Sequence, residues 1–135
     1  MDLMSDYSAT TYKVYLDNEI TIDLVVDELN KDLDTFLASQ GCKSYAFITA
    51  WNPFSKKVDA EQNEIANTTL KKDLDQFMVF DGMGIPAQPS EWEAEASFFI
   101  LGISKEEAEE LGKKYEQNAI VFGRFGEAPI LIKLV

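Results

Sequence analysis

The chain has 135 residues, 46% hydrophobic and 27% charged, which is the size and composition of one globular domain. Its 24 acidic and 12 basic residues give a net charge of −12, and it carries one cysteine and no histidine. Those counts exclude a disulfide, a Cys/His zinc site and any Ser-His-Asp or Cys-His catalytic couple. Lysines in small scattered groups, with Arg124 the only arginine, supply no basic stripe. Neither nucleic acid nor an anionic membrane surface is therefore expected as a partner.

No repeat, linker or low-complexity stretch divides the sequence, so residues 1–135 read as a single domain. The acidic start, Met1-Asp2-Leu3-Met4-Ser5-Asp6, is no signal peptide. No apolar run approaches the roughly 18 residues of a membrane span, and the expected location is the cytoplasm. Thr11–Leu16 and Ile20–Val26 are β-branched runs joined across Asp17-Asn18-Glu19, which predicts a hairpin. A helix is expected from Asp27 to Gln40, with Leu29, Leu33, Phe36 and Leu37 as its apolar stripe and Gly41 as its terminator. Tyr45–Trp51 reads as a central strand, apolar on both faces, broken by Asn52-Pro53. Asp59 and Gln62 predict the start of a second helix running to Phe77.

Met78–Phe80 predicts a short strand before a turn at Gly82-Met83-Gly84. Ala94–Leu101 is the next strand. Ser104-Lys105-Glu106-Glu107 is a capping box opening a third helix, whose inner stripe is Ala108, Leu111 and Tyr115. Strands at Ala119–Phe122 and Pro129–Leu134 close the chain. The order ββαβαββαββ implies an α+β domain, a mixed sheet with about three helices packed on it.

Several polar residues break this patterning. Thr49 shares a strand face with Tyr45, Phe47 and Trp51, and Asn52 follows at the strand's end. Asn63 and Asn67 occupy the helical stripe that continues as Leu70, Leu74 and Phe77. Glu95 and Ser97 share a face with Phe99 and Leu101, and a carboxylate there costs several kcal/mol if buried alone. Gln117-Asn118 ends the third helix. Brought together, these side chains could line one polar pocket at an end of the sheet. Each also has a plainer reading: Asn118 as a left-handed helix cap, Asn52 as a turn former, Asn63 and Asn67 as partners for the 52–58 loop. Trp51 and Trp92 suit a core or a pocket lid. Gly82-x-Gly84 lacks the setting of a dinucleotide loop, and Cys42, without histidine, is a small hydrophobe and not a nucleophile. No spaced set of acids predicts a metal site, and no cofactor is indicated.

Taken together, Tyr45-Ala46-Phe47-Ile48-Thr49-Ala50-Trp51-Asn52-Pro53, then Asn63 and Asn67, then Trp92-x-x-Glu95-x-Ser97-Phe98, and last Gln117-Asn118-Ala119-Ile120 carry a likeness. Over about residues 10–125 the chain resembles a bacterial domain-of-unknown-function family of small stand-alone proteins whose signature is an ITA-x-NP segment. The resemblance implies a bacterial cytoplasmic domain and brings no activity, cofactor or catalytic residue with it. This sequence differs from the pattern at Glu116, where a glycine is common.

Two functions are then in view. The first is binding of a polar, nucleotide- or sugar-like small molecule by Thr49, Asn52, Asn63, Asn67, Ser97, Gln117 and Asn118, with Glu95 as the general acid/base of any reaction. The alternative is an acidic interaction module or inhibitor. Residues 17–34 hold seven acids against Lys31, half of the chain's excess charge, and could dock on a basic protein surface.

Overall fold

A computed structural model describes residues 3–17, 19–87 and 93–135. Asn18 and Trp92 lie outside the described residues. In chain order the elements are α1 (Leu3–Ala9), β1 (Thr11–Asp17), β2 (Ile20–Leu24), α2 (Lys31–Gln40), β3 (Ser44–Ile48), a single 3-10 turn (Pro53–Ser55), α3 (Ala60–Asp73), β4 (Met78–Ile85), β5 (Glu95–Leu101), α4 (Lys105–Lys114), β6 (Ala119–Arg124) and β7 (Ile130–Lys133). The expected α+β class and strand sequence hold, with α1 added at the front.

The seven strands form one sheet in the order β2-β1-β4-β5-β3-β6-β7. Every pairing is antiparallel, so the sheet is not mixed. The helical crossovers that suggested parallel neighbours do join strands running the same way. Each pair, however, is separated by other strands: β5 lies between β3 and β4, which α3 connects, and β3 lies between β5 and β6, which α4 connects. The sheet also curls. The Asp27 N–H, just beyond one edge strand, donates to the Pro129 carbonyl, just before the other, at 2.8 Å.

Strand alternation sends side chains into two separate cores. Val14, Leu24, Tyr45, Phe47 and Phe99 pack on one face under Leu33 and Leu37 of α2. Ala46, Ile48, Phe98, Ile100 and Phe122 pack on the other against Leu70 of α3 and Ala108 of α4. β3 is accordingly buried on both faces, as its unbroken apolar run predicts.

The larger departures from the sequence expectation are four. α2 begins at Lys31, where Asn30 Oδ1 accepts the Leu33 N–H at 3.0 Å, because the backbone turns first at Asp27 (φ 69°). Leu29 is left 72% exposed and belongs to no stripe. β3 stops at Ile48, three residues before Trp51, and α3 stops at Asp73, four before Phe77. Gly82-Met83-Gly84 is not a turn but the middle of β4. Gly82 is needed there for closeness: a Cβ would lie 2.6 Å from the Phe47 ring on the same face. The capping box of α4 forms as expected, Ser104 and Glu107 exchanging hydrogen bonds.

Candidate functional site

The site begins where β3 leaves β5. Their last paired residues are Ile48 and Phe98, and the next bond of the ladder would join Ala50 to Ala96. In its place the side-chain amide of Asn67 stands between the strands. Its Oδ1 accepts the Ala50 N–H at 2.8 Å and its Nδ2 donates to the Ala96 carbonyl at 2.9 Å. Thr49 assists, its hydroxyl donating to the Ala96 carbonyl at 2.7 Å and accepting the Trp51 N–H at 3.0 Å. Asn67 can reach because it projects from the buried stripe of α3, at 7% exposure.

The loop beyond is fastened by further amides. Asn63 clasps Asn52, accepting its backbone N–H at 2.7 Å and donating to its Oδ1 at 2.9 Å; that Oδ1 also takes the Val58 N–H at 3.1 Å. Gln117 Nε2 donates to the Trp51 carbonyl at 3.3 Å, and Asn118 Nδ2 to the Ser55 hydroxyl at 2.8 Å. Ser55 Oγ is also hydrogen-bonded to the Tyr7 hydroxyl of α1. These fastenings hold Asn52, Phe54 and Ser55 in left-handed conformations, φ 46°, 54° and 59°. Such non-glycine residues cost about 1–3 kcal/mol each. The other left-handed residue nearby is Glu116 (φ 58°), so the glycine-like turn after α4 survives without glycine and Asn118 is not its left-handed cap.

Beneath this loop lies a cavity of about 160 Å³. Of the eight residues singled out in the sequence, Thr49, Asn52, Glu95, Ser97 and Gln117 line it. Asn63, Asn67 and Asn118 do not. They stand behind the wall and hold it; Asn63 does so through the 52–58 loop, the plainer reading, while Asn67 bonds Ala50 and Ala96 instead. Trp51 also lines the cavity. Glu95 is half-buried, with Asn52 Nδ2 donating to its Oε2 at 3.3 Å. Burial pushes its carboxyl up to about 7, while the Asn52 amide pulls the other way. Ser97, buried, spends its hydroxyl on the Glu95 carbonyl at 3.0 Å and not on the carboxylate.

The sequence reading missed the opposite wall, made by Asp6 and Tyr7 of α1, Thr10, and Tyr12 of β1. Tyr12 had a signal, its alternation with Val14 on the core face. The Tyr12 hydroxyl donates to the Tyr7 carbonyl at 2.7 Å, and its ring meets Phe47 edge-on at 5.2 Å. Burial raises the Tyr12 hydroxyl well above the ordinary tyrosine value. Asp6 and Tyr7 had none, lying in an acidic stretch without helical periodicity.

Fold and site together define an α+β protein in which an amide-fastened loop and a short helix enclose a cavity bearing one raised carboxyl. The family described as protein of unknown function (DUF3293) matches residues 48–120, more than half of the chain, and the chain belongs to that family. The matched span contains all eight polar residues of the sequence reading and stops short of α1 and β1. No curated protein and no solved structure matches the chain. Among the described residues no helix is long and apolar enough to cross a membrane.

Proposed function

We propose that this protein binds a small polar molecule in the cavity beneath the 49–58 loop, with Asn52 and Glu95 reading it. Glu95 carries the reading. It is a half-buried carboxyl whose partner among the described residues is an amide, set on the strand face it shares with Ser97, Phe99 and Leu101. The strained backbone at Asn52, Phe54 and Ser55 adds to this, because such conformations gather at ligand sites. Asp6, Glu93 and Glu95 line the cavity without a lysine or arginine among the described residues, which disfavours phosphate. Of nucleotide-like and sugar-like ligands, those without an anionic group fit. In any reaction Glu95 is the general acid/base, since a carboxyl at about 7 exchanges its proton near neutral pH.

Thermal unfolding with sugars, nucleosides, amino acids and small amines tests this. A ligand at about 100 times its Kd adds about 2.7 kcal/mol and raises the midpoint by several degrees. The expected result is a rise that Glu95→Gln abolishes; no rise with any compound would overturn the proposal. The alternative, docking through residues 17–34, has weaker support. Asp23 already pairs with Lys13 at 2.8 Å, and Asp34 accepts the Gly126 N–H at 3.0 Å.

A further inference from the structure

We infer that the ligand of this cavity is a small organic cation, an ammonium or amidinium group on a short apolar body, with its charge against Glu95 and its body against the aromatic wall. The inference rests on the ligand-binding reading above and goes beyond it to the chemical class.

Charge is the first argument. The cavity lining holds three carboxylates, Asp6, Glu93 and Glu95, and no basic side chain among the described residues. The ion pairs described in the protein are Lys13–Asp23, Lys105–Glu109 and Lys114–Asp73, and none reaches the cavity. Among the described residues none supplies a counter-ion to Glu95, so a bound cation would fill that role. The walls are the second argument. Tyr7, Tyr12, Phe47 and Trp51 are among the lining residues, and an aromatic ring attracts a desolvated cation. Size is the third, since about 160 Å³ accommodates a body of roughly the size of a benzene ring.

Other ligand classes fit less well. An anion would face three carboxylates, and an apolar molecule would strip water from Glu95 and return nothing. A neutral amide or alcohol can hydrogen-bond to the carboxyl but leaves its charge uncompensated. A cation does both, and its attraction is strengthened by the partial exclusion of water.

The same geometry makes binding depend on pH. Burial holds the Glu95 carboxyl up at about 7, and a cation beside it favours the ionised form, so binding displaces the proton. The groups facing it are Asp6 and Tyr7 from α1, Tyr12 from β1, Glu93 ahead of β5 and Asn52 from the loop. β6 and β7 contribute Ala119, Ile120, Val121 and Leu131, none of which titrates.

Amide-resolved NMR titration of the full chain decides the matter. The probes are butylammonium and benzamidinium, their neutral counterparts butanol and benzamide, and the anions butyrate and benzoate. At pH 8 a cation is expected to shift the amides of Thr49, Glu95 and Ser97 saturably and to bind at least about tenfold more tightly than its neutral counterpart, with no binding by the anions. Between pH 8 and pH 6 its affinity should fall about tenfold, as a carboxyl near 7 takes up its proton. In Glu95→Gln the cation should drop to the level of the neutral probe, while the folded spectrum is kept. Neutral probes equal to the cations, or a cation affinity that does not change with pH, would overturn the inference and leave the ligand site standing. If the cations fail and the wider compound panel also gives no shift, both readings fall. The wild-type pH dependence keeps the test decisive even should the variant misfold.

Discussion

Glu95 shares its strand face with Ser97, Phe99 and Leu101, so a single side chain sets a charge where the neighbours build a core. A carboxyl whose folded pKa of about 7 lies above its ordinary 4.5 holds its proton more tightly in the folded protein. Its contribution is fully present below about pH 4.5 and is lost as the pH rises through 7. Discounted for partial exposure, the loss is about 2 kcal/mol. Glu95→Gln is therefore expected to match the parent near pH 4.5 and to exceed its stability at pH 8, as read by urea unfolding across that range. A variant less stable than the parent at pH 8 would mean that the charge helps the fold. Thr49, Asn63, Asn67, Glu95 and Ser97 were legible because each interrupts an apolar pattern, as Asn67 does ahead of Leu70, and Asn52, Gln117 and Asn118 because they stand at the ends of elements. Their division into lining and bracing residues was not, since it depends on β3 leaving the ladder at Ile48, and no local pattern marks that point.

At the scale of elements, α3 shapes the site through two asparagines one helical turn apart. Asn63 grips the loop and Asn67 fills the gap between β3 and β5. Asn67→Ala would strand the Ala50 N–H and deprive the Ala96 carbonyl of one donor, and each buried unsatisfied group costs about 1–3 kcal/mol. We expect a loss of roughly 2–4 kcal/mol in urea unfolding, with faster amide exchange at Ala50 and Trp51. Exchange unchanged at those amides would show that the carboxamide does not hold the gap. The elements themselves were largely readable, for the hairpin, the three longer helices and the capping residues Asp59 and Ser104 carry local signals. Strand neighbours were not. Helical crossovers announce strands of like direction, but whether another strand lies between them is settled by pairings far apart in sequence, such as Phe47 with Phe99. The short α1 was missed for a related reason: its described wall residues act through contacts with β1 and Ser55 and not through periodicity of their own.

For the molecule as a whole, the net charge of −12 is a standing self-repulsion that compactness makes worse. Added salt should screen it. The unfolding midpoint is expected to rise by a few degrees as sodium chloride goes from about 10 mM to 300 mM, over which the Debye length shrinks from about 30 Å to well under 10 Å. A midpoint that falls with salt would instead give the ion pairs Lys13–Asp23 and Lys114–Asp73 the larger share. The charge also bears on the cavity, because a strong net negative charge repels anions before they reach the lining.

The carboxamide of Asn67, wedged where a peptide bond would sit, has one more consequence. It acts as a splint, keeping two strands from zipping shut while satisfying both of their edges. A sheet left to itself gains by extending its pairing, so closing the seam at the expense of the cavity is one route by which this protein would become more stable. Selection for heat resistance alone should thus run toward a sealed and empty-handed relative, recognisable by what has replaced the splint.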